Sequence, residues 1–156
     1  MSLDKVIKEK LISLAQEQAQ KSIDSGNPPF GAVLADENGN VVEIAHNTQN
    51  SENDPTAHAE INLLRKVGGK LKTRYLPCHH LFANAESCSM CMSGAIKARI
   101  TNFYFGAPHE PSMDPELPAE DVASRAKNQI HLEGGILQEA CKEQIKSGRE
   151  VLEHNK

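Results

Sequence analysis

The sequence predicts an α/β fold in which helices flank a mixed sheet. Stretches with apolar residues at helical spacing alternate along the chain with short apolar runs of strand length. An Asn-Gly pair separates the first two of these runs and predicts a hairpin, which adds antiparallel neighbours to the sheet. At 156 residues the chain is expected to form a single domain that spans residues 1–156.

The first part of the chain is predicted to form a long helix and then the hairpin. Apolar residues recur at helical spacing over residues 3–23, which indicates an amphipathic helix, and the Gly and Pro residues of segment 25–29 end it. Residues 30–35 and 41–45 are apolar runs joined by Asn38-Gly39, which supplies the positive φ angles of a tight turn.

The rest of the chain alternates between predicted helices and strands. Helices are predicted over the stretch that ends at Gly68-Gly69 and over 92–99, 119–128 and 138–147, and strands over 80–84, 100–106 and within 130–137. Four prolines in segment 107–118 exclude a regular helix or a central strand, so this segment is predicted to be a stiff loop. The polar tail 148–156 is expected to fray or to fold over a neighbouring subunit.

Composition argues against nucleic-acid and membrane partners. The net charge is −4, aromatic residues make up 4% and Trp is absent, so the whole chain offers neither an attractive field nor stacking platforms for nucleic acid. No apolar run is long enough to span a bilayer, and the first ten residues do not form a signal peptide. A cytoplasmic protein without a nucleic-acid partner is the expectation from composition.

Two short motifs carry the chemistry. Residues 54–60 have the sequence DPTAHAE and residues 86–91 have ESCSMC, which together give H-x-E followed by C-x-x-C, the ligand set of a zinc deaminase. A catalytic zinc takes three protein ligands and leaves a fourth position to water, and His58, Cys88 and Cys91 supply three. Glu60 beside them is the candidate for proton transfer.

Sequence spacing predicts a shared metal site more directly for the two cysteines than for the histidine and the glutamate. If Cys88 and Cys91 open a helix, their separation places both sulfurs on one face, and the positive helix end favours thiolate. On a regular helix His58 and Glu60 would diverge by roughly 200°. A lone C-x-x-C also occurs in redox motifs and structural zinc sites.

With these motifs the chain resembles the cytidine-deaminase superfamily, in the branch of bacterial guanine deaminases, fungal-type cytosine deaminases and tRNA adenosine deaminases. The resemblance extends from about Ile7 to Gln144. Its matching positions are 29–33, Asn47, 54–60, Glu86, Cys88, 90–91 and 94–96. It implies a three-layer α/β/α fold with a central mixed sheet of about five strands, Zn²⁺ as cofactor and a homodimer. Ser87 departs from the usual Pro of the family, although serine also caps helix starts.

The resemblance also implies roles for individual residues. Glu60 matches the catalytic carboxylate, and its neighbourhood to His58 rests on this match. Asn47 matches a residue that hydrogen-bonds the base, with a loop asparagine bonding its own turn as the alternative. Phe30 resembles a pocket-wall residue or a core residue. The amide of Ala59 and the carbonyl of Glu86 resemble positions that hold the base carbonyl and the leaving amine.

The predicted activity is hydrolytic deamination at an amidine C–N bond of a small free nucleobase, with guanine favoured, or of a nucleoside or related heterocycle. Cytosine deamination and adenosine deamination in tRNA are the alternatives. For tRNA, a local patch of Lys66, Lys70, Lys72 and Arg74 would have to overcome the negative net charge. A third alternative is a non-catalytic zinc module with a fourth ligand such as Cys78.

Several other residues have two interpretations. In loop 107–118, His109, Glu110 and Asp114 are candidates for selecting the substrate or ordinary solvated residues. His79 and His80 are interpreted as the start of a strand rather than as part of a second metal site, and Cys141 is interpreted as a packed core thiol.

Overall fold

The computed structural model describes residues 2–111 and 113–156. Met1 and Ser112, the latter within the predicted loop 107–118, lie outside the described residues. The strands are Gly31–Ala35 (β1), Val41–His46 (β2), His80–Ala85 (β3), Asn102–Ala107 (β4) and His131–Glu133 (β5). The helices are Lys5–Asp24 (α1), Gln49–Glu52 (α2), Ala59–Leu71 (α3), Ser89–Lys97 (α4), Ala119–Ala123 (α5) and Gln138–His154 (α6).

The five strands form one mixed sheet in the order β2-β1-β3-β4-β5. β1 pairs antiparallel with both β2 and β3, and the remaining two pairs are parallel. The parallel pairs require crossovers, which α4 and α5 provide. The mixed five-stranded sheet predicted from the sequence is confirmed.

Each face of the sheet buries its own apolar cluster. Successive residues of a strand point to opposite faces, so Leu81 packs with Leu63 under α3 and α4, whereas Phe82 packs with Ile12 under α1 and α6. The result is the three-layer α/β/α arrangement that the resemblance implied. Within the described part of the chain, no helix is long and apolar enough to cross a membrane.

Helix α1 lies very close to the start of β1 because Gly31 has no side chain. A Cβ there would overlap the carbonyl oxygen of Ala15 and lie 2.5 Å from the amide nitrogen of Ala19. We expect Gly31→Ala to lower the free energy of unfolding by about 3 kcal/mol, because backbone atoms have to move. Urea denaturation measures this. Gly69→Ala is the matched control, since nothing lies within 4 Å of a Cβ there and alanine favours a helix. Equal midpoints for the two variants would contradict the prediction.

Three predicted helix ends are wrong, and two of them fell at glycines. α5 ends at Ala123 rather than at residue 128. α3 continues through Gly68 and Gly69 to Leu71 and ends at Lys72, which has a left-handed φ of 55°. α6 continues beyond residue 147 to His154, so most of the predicted tail is helical. Gly148 lies in that helix because it faces Pro29, whose Cβ would be 2.6 Å from a Cβ at this position. Tertiary packing, and not helix termination, selects this glycine.

Candidate active site

His58 and Glu60 lie at the start of α3. His58 is the N-cap residue, with an extended backbone at φ −68° and ψ 156°, and Ala59 and Glu60 form the first turn. The angular separation of a regular helix therefore does not apply to His58, which lies outside the helix. Before it, the carboxylate of Asp54 accepts hydrogen bonds from the amide and the hydroxyl of Thr56 at 2.8 and 2.7 Å. These bonds hold the turn that leads the chain into His58.

The cysteines have the same arrangement at the start of α4. Cys88 is the N-cap residue, again with an extended backbone, and Cys91 lies in the first turn. β3 ends at Ala85, so a three-residue connection delivers Cys88 to the edge of the sheet where α3 also begins. Two helix N-termini therefore face the same point, and both favour negative charge there.

Three side chains converge at this point with the geometry of a zinc site. The His58 Nδ1 atom lies 3.5 Å from the Sγ atoms of both Cys88 and Cys91. Ligands at the usual Zn–N and Zn–S distances and a tetrahedral angle would be about 3.6 Å apart. Among the described residues no fourth His, Cys, Asp or Glu joins this group. Cys78, the candidate fourth ligand of a purely structural site, precedes β3 at its other end.

The electrostatics of the cluster favour bound cations. A hydrogen bond from Cys91, aided by one from His58, lowers the pKa of the Cys88 thiol to about 4. The same bond raises the pKa of Cys91 well above its ordinary value, and the bond to Cys88 raises the pKa of His58. One thiolate is thus shared between a thiol and an imidazole, an arrangement that a divalent metal would replace with direct bonds.

Glu60 is buried beside the cluster, with 7% of its surface exposed. Burial raises the pKa of its carboxyl, and the negative charge of Cys88 raises it further. A hydrogen bond from Ser87 and the positive charge of His58 act in the opposite direction. A carboxyl with a raised pKa in a dry setting exchanges protons more readily near neutral pH than a solvated one.

A cavity of about 190 Å³ opens directly onto the cluster. Pockets for drug-sized ligands measure roughly 300–1,000 Å³, so this one suits a single heterocycle. Its lining comes from the sheet edge, the two helix starts, the loop after β4 and α6, and includes Phe30, Asn47, Gln49, Glu60, Ala83, Asn84, Glu86, Pro108, Glu110, Met113 and Arg149.

Residues 5–107 match the model of the cytidine and deoxycytidylate deaminase zinc-binding region. The chain belongs to this zinc-binding deaminase family. The match includes both motifs and the whole His/Cys/Cys cluster, so the fold and the zinc cofactor predicted from the resemblance are confirmed.

Relatives of this chain include enzymes named tRNA-specific adenosine deaminase. That of Aquifex aeolicus is 33% identical over 100 residues, which cover 64% of this chain and 66% of the relative. That of Haemophilus influenzae is 36% identical over 99 residues, which cover 64% and 57%. The chain thus spans less than two thirds of the length of these two relatives. That of Buchnera aphidicola is 28% identical over 130 residues, which cover 83% and 85%.

Two solved structures have a fold similar to that of this chain. A structure from a study of A-to-I editing by tRNA:A34 deaminases has a TM-score of 0.78 and 28% identity, with 86% of this chain and 98% of that chain covered. A guanine deaminase from Nitrosomonas europaea has a TM-score of 0.77 but 20% identity, with 90% and 83% covered. At that identity the second similarity shows the fold alone.

These findings contradict the prediction of a free-nucleobase deaminase with guanine favoured. Four relatives named for tRNA adenosine, at 28–36% identity, support the alternative instead. They also conflict with the expectation that nucleic acid is not a partner. The two motifs supply the candidate metal ligands and the carboxylate rather than contacts to a base, so they do not distinguish one substrate from another.

Three of the four residues predicted to contact the substrate line the cavity, and two of these three already bond other residues of the chain. Phe30 and Asn47 both line the cavity, but the side chain of Asn47 already bonds Gln49, its Oδ1 accepting from the Gln49 amide at 2.8 Å. The buried Ala59 is not among the lining residues. Glu86 lines the cavity, while its carboxylate accepts bonds from the amides of His109 and Ala119 at 3.1 and 3.0 Å. The substrate roles of these residues stay predictions.

The loop after β4 contributes only part of what was expected. Glu110 lines the cavity, whereas His109 and Asp114 do not. The ring nitrogens of His109 are buried and have no hydrogen-bond partner in the part of the chain that the structure describes. His80 begins β3 as predicted, whereas His79 lies just before the strand, and Cys141 is fully buried in the core as predicted.

Arg149 is the main site residue that the sequence did not indicate. It extends from α6 to the cavity mouth, where its Nη1 donates to Glu110 Oε2 at 2.6 Å. Its guanidinium carbon also lies 5.8 Å from the ring centroid of Phe30. Gln49 was missed as well. The signal for Arg149 would have been helical periodicity through residue 154, which the glycine at 148 obscured.

Proposed function

We propose that this deaminase hydrolyses adenosine within tRNA to inosine and releases ammonia. The observation that carries the proposal is the similarity to tRNA-specific adenosine deaminases over the segment that holds the motifs, together with a tRNA:A34 deaminase structure covered over 98% of its length. The His/Cys/Cys cluster, the buried carboxylate and the base-sized cavity supply the parts that this reaction requires.

The ligands proposed for zinc are His58 Nδ1 and the Sγ atoms of Cys88 and Cys91. Zinc bound there lowers the pKa of a water molecule to roughly 7. In the proposed reaction Glu60 accepts a proton from the attacking water and delivers it to N1 of adenine. It then takes the second proton from the oxygen added at C6 and delivers it to the departing amine, so that the C6–N bond breaks and C6 becomes a carbonyl. Water and adenosine thereby give inosine and ammonia.

The size of the cavity supports a reaction in which the target base leaves the base stack of the RNA. About 190 Å³ admits a heterocycle but not the nucleotides on either side, so the target base has to be extruded into the cavity while its backbone stays outside. Phe30 offers an apolar wall, and Asn47 and Gln49 offer amides that can bond a base edge. Arg149 and Glu110 stand at the mouth, where the flanking backbone would pass.

The test uses zinc-loaded protein and tRNA transcripts that carry either adenosine or guanosine at the wobble position. We expect inosine, measured by nucleoside digestion and mass spectrometry, in the adenosine transcript alone. Free adenine, adenosine, guanine and cytosine serve as comparison substrates. Absence of inosine with zinc content verified, or faster turnover of a free base or nucleoside, would overturn the proposal. The homodimer remains a prediction that light scattering can check.

Ser87, the departure from the family, should tune the proposed proton carrier. Its hydroxyl bonds the Glu60 carboxylate and lowers the pKa of that group. Ser87→Ala removes this bond, so the pKa of Glu60 rises. Because activity is lost as pH falls through that pKa, we expect the acid limb of the kcat profile to move to higher pH. Ser93→Ala, an exposed change in α4, is the control. An unmoved limb would show that Ser87 does not affect Glu60.

A further inference from the structure

Basic residues are concentrated in the middle of the chain, in the segment that also carries Glu86, Cys88 and Cys91. Residues 61–109 contain seven Lys and Arg residues and one acid, Glu86. The whole chain contains 17 basic and 21 acidic residues, so the remainder carries 10 basic and 20 acidic ones. The net charge of −4 therefore conceals a positive segment within an acidic protein. We call its seven side chains the basic face: Arg65, Lys66, Lys70, Lys72, Arg74, Lys97 and Arg99.

The basic face keeps most of its charge unpaired. All seven side chains are exposed. Arg65 lies 3.9 Å from the carboxylate of Asp54 and Lys70 lies 4.0 Å from that of Glu43. The other five form no ion pair with any residue in segments 2–111 and 113–156. Glu86 does not offset them, because its carboxylate is bonded to backbone amides at the loop.

Four of these seven side chains share one surface depression, while Lys66 and Lys70 donate hydrogen bonds to backbone carbonyls of β2. α3 and α4 pack against each other, and a shallow depression between their C-terminal ends is lined by Arg65, Lys72, Arg74 and Lys97. At its edge the guanidinium carbons of Arg74 and Arg99 lie 4.7 and 3.8 Å from the ring centroid of Tyr75. Stacking on an aromatic ring holds a guanidinium in one plane, and an oriented guanidinium binds phosphate through two parallel hydrogen bonds.

The same two helices connect this surface to the active site. α3 and α4 begin at His58 and Cys88 and end at the basic face. At 1.5 Å per residue, Lys70 lies about 18 Å from His58 along α3, and Lys97 lies about 14 Å from Cys88 along α4. A single nucleoside in the cavity cannot touch these side chains. A ligand that occupies both places has to be extended and polyanionic.

We propose that the basic face binds the sugar-phosphate backbone of the same RNA whose base enters the cavity, at a region remote from the reacting base. This inference rests on the proposed function, since it names how that substrate is held. Contacts of this kind position the RNA and supply affinity without reading its sequence. The acidic remainder of the chain repels phosphate and leaves this face as the preferred side of approach.

The test compares two triple variants with equal charge changes. The first, Lys72→Glu, Arg74→Glu and Lys97→Glu, reverses charges in the depression without touching a catalytic residue. The control, Lys5→Glu, Lys10→Glu and Lys21→Glu, reverses three exposed charges on α1, which covers the other face of the sheet. Zinc-loaded proteins are titrated into labelled tRNA between about 50 and 200 mM salt, and thermal unfolding verifies that each variant folds.

We expect the basic-face variant to bind tRNA on the order of tenfold more weakly at the lower salt, with the slope of log K against log salt reduced by about 3. On tRNA its KM should rise while kcat stays unchanged. The control should bind nearly as the unaltered protein does. Equal weakening of both variants, or an unchanged slope in the first, would overturn the inference.

The same measurements separate this inference from the proposed function. If the unaltered protein edits tRNA and the basic-face variant binds and edits equally well, the face is not an RNA surface but the function stands. If the unaltered protein binds tRNA through this face and forms no inosine, the function is overturned and the RNA surface stands. If it does not bind tRNA, the inference about the face is wrong.

Discussion

Glu60→Gln is expected to lower kcat for inosine formation by about 10³-fold, the scale of a lost general acid–base group. Glutamine has the shape of glutamate but cannot carry a proton between water and the base. Because Glu60 is not one of the three clustered ligands, zinc content should remain that of the unaltered protein. Single-turnover kinetics on tRNA, together with metal analysis of the same preparation, measure both quantities.

The controls for Glu60→Gln isolate the position of the carboxylate. Glu120→Gln removes an exposed carboxylate from α5 and should leave kcat unchanged. Burial makes a neutral side chain at position 60 easier to accommodate than a charged one, so the variant should fold at least as stably. Full activity with zinc in place would remove Glu60 from the mechanism.

Cys91→Ser is expected to abolish stoichiometric zinc binding and, with it, turnover. Cys91 is 1% exposed and is one of only three clustered ligands in the described chain, so its loss leaves two. Zinc affinity should fall on the order of 10²-fold or more, because even outer contacts to a metal site are worth 10 to 100-fold. The midpoint of thermal unfolding should also fall, since a ligand that binds only the folded state stabilises it.

Cys78→Ser is the matched control for Cys91→Ser. Cys78 is exposed and lies outside the cluster, so this variant should keep its zinc and its activity. Metal analysis after dialysis distinguishes the two variants. Loss of zinc from Cys78→Ser, with zinc retained by Cys91→Ser, would mean that the ligands are wrongly assigned.

The sequence predicted the metal cluster better than it predicted the residues around it. His58, Cys88 and Cys91 were expected to lie together because imidazole and thiolate groups are the usual ligands of zinc. Helical spacing could not place His58 beside Glu60, since His58 is an N-cap residue whose backbone is extended. The strands and their mixed arrangement followed from short apolar runs and one hairpin turn.

What the sequence concealed depends on contacts between distant segments. Arg149 reaches the cavity because α6 continues past Gly148, and a glycine stands there because Pro29 leaves no room for a side chain. The substrate class was misjudged for a related reason. The net charge of −4 outweighed the local patch of Lys66, Lys70, Lys72 and Arg74. Sequence spacing also does not show that Lys72 and Arg74 share one depression with Arg65 and Lys97.

The two hydrogen bonds that the Glu86 carboxylate accepts have a consequence for how the loop beside the cavity can vary. Its carboxylate fastens the amides of His109 and Ala119, the two ends of the segment at the cavity mouth, while its backbone leads through Ser87 to Cys88. The stretch between these two residues is therefore a loop whose two ends are held together by one carboxylate. Exchanging it is expected to change the cavity lining, to which Glu110 and Met113 belong, while the metal cluster keeps its geometry.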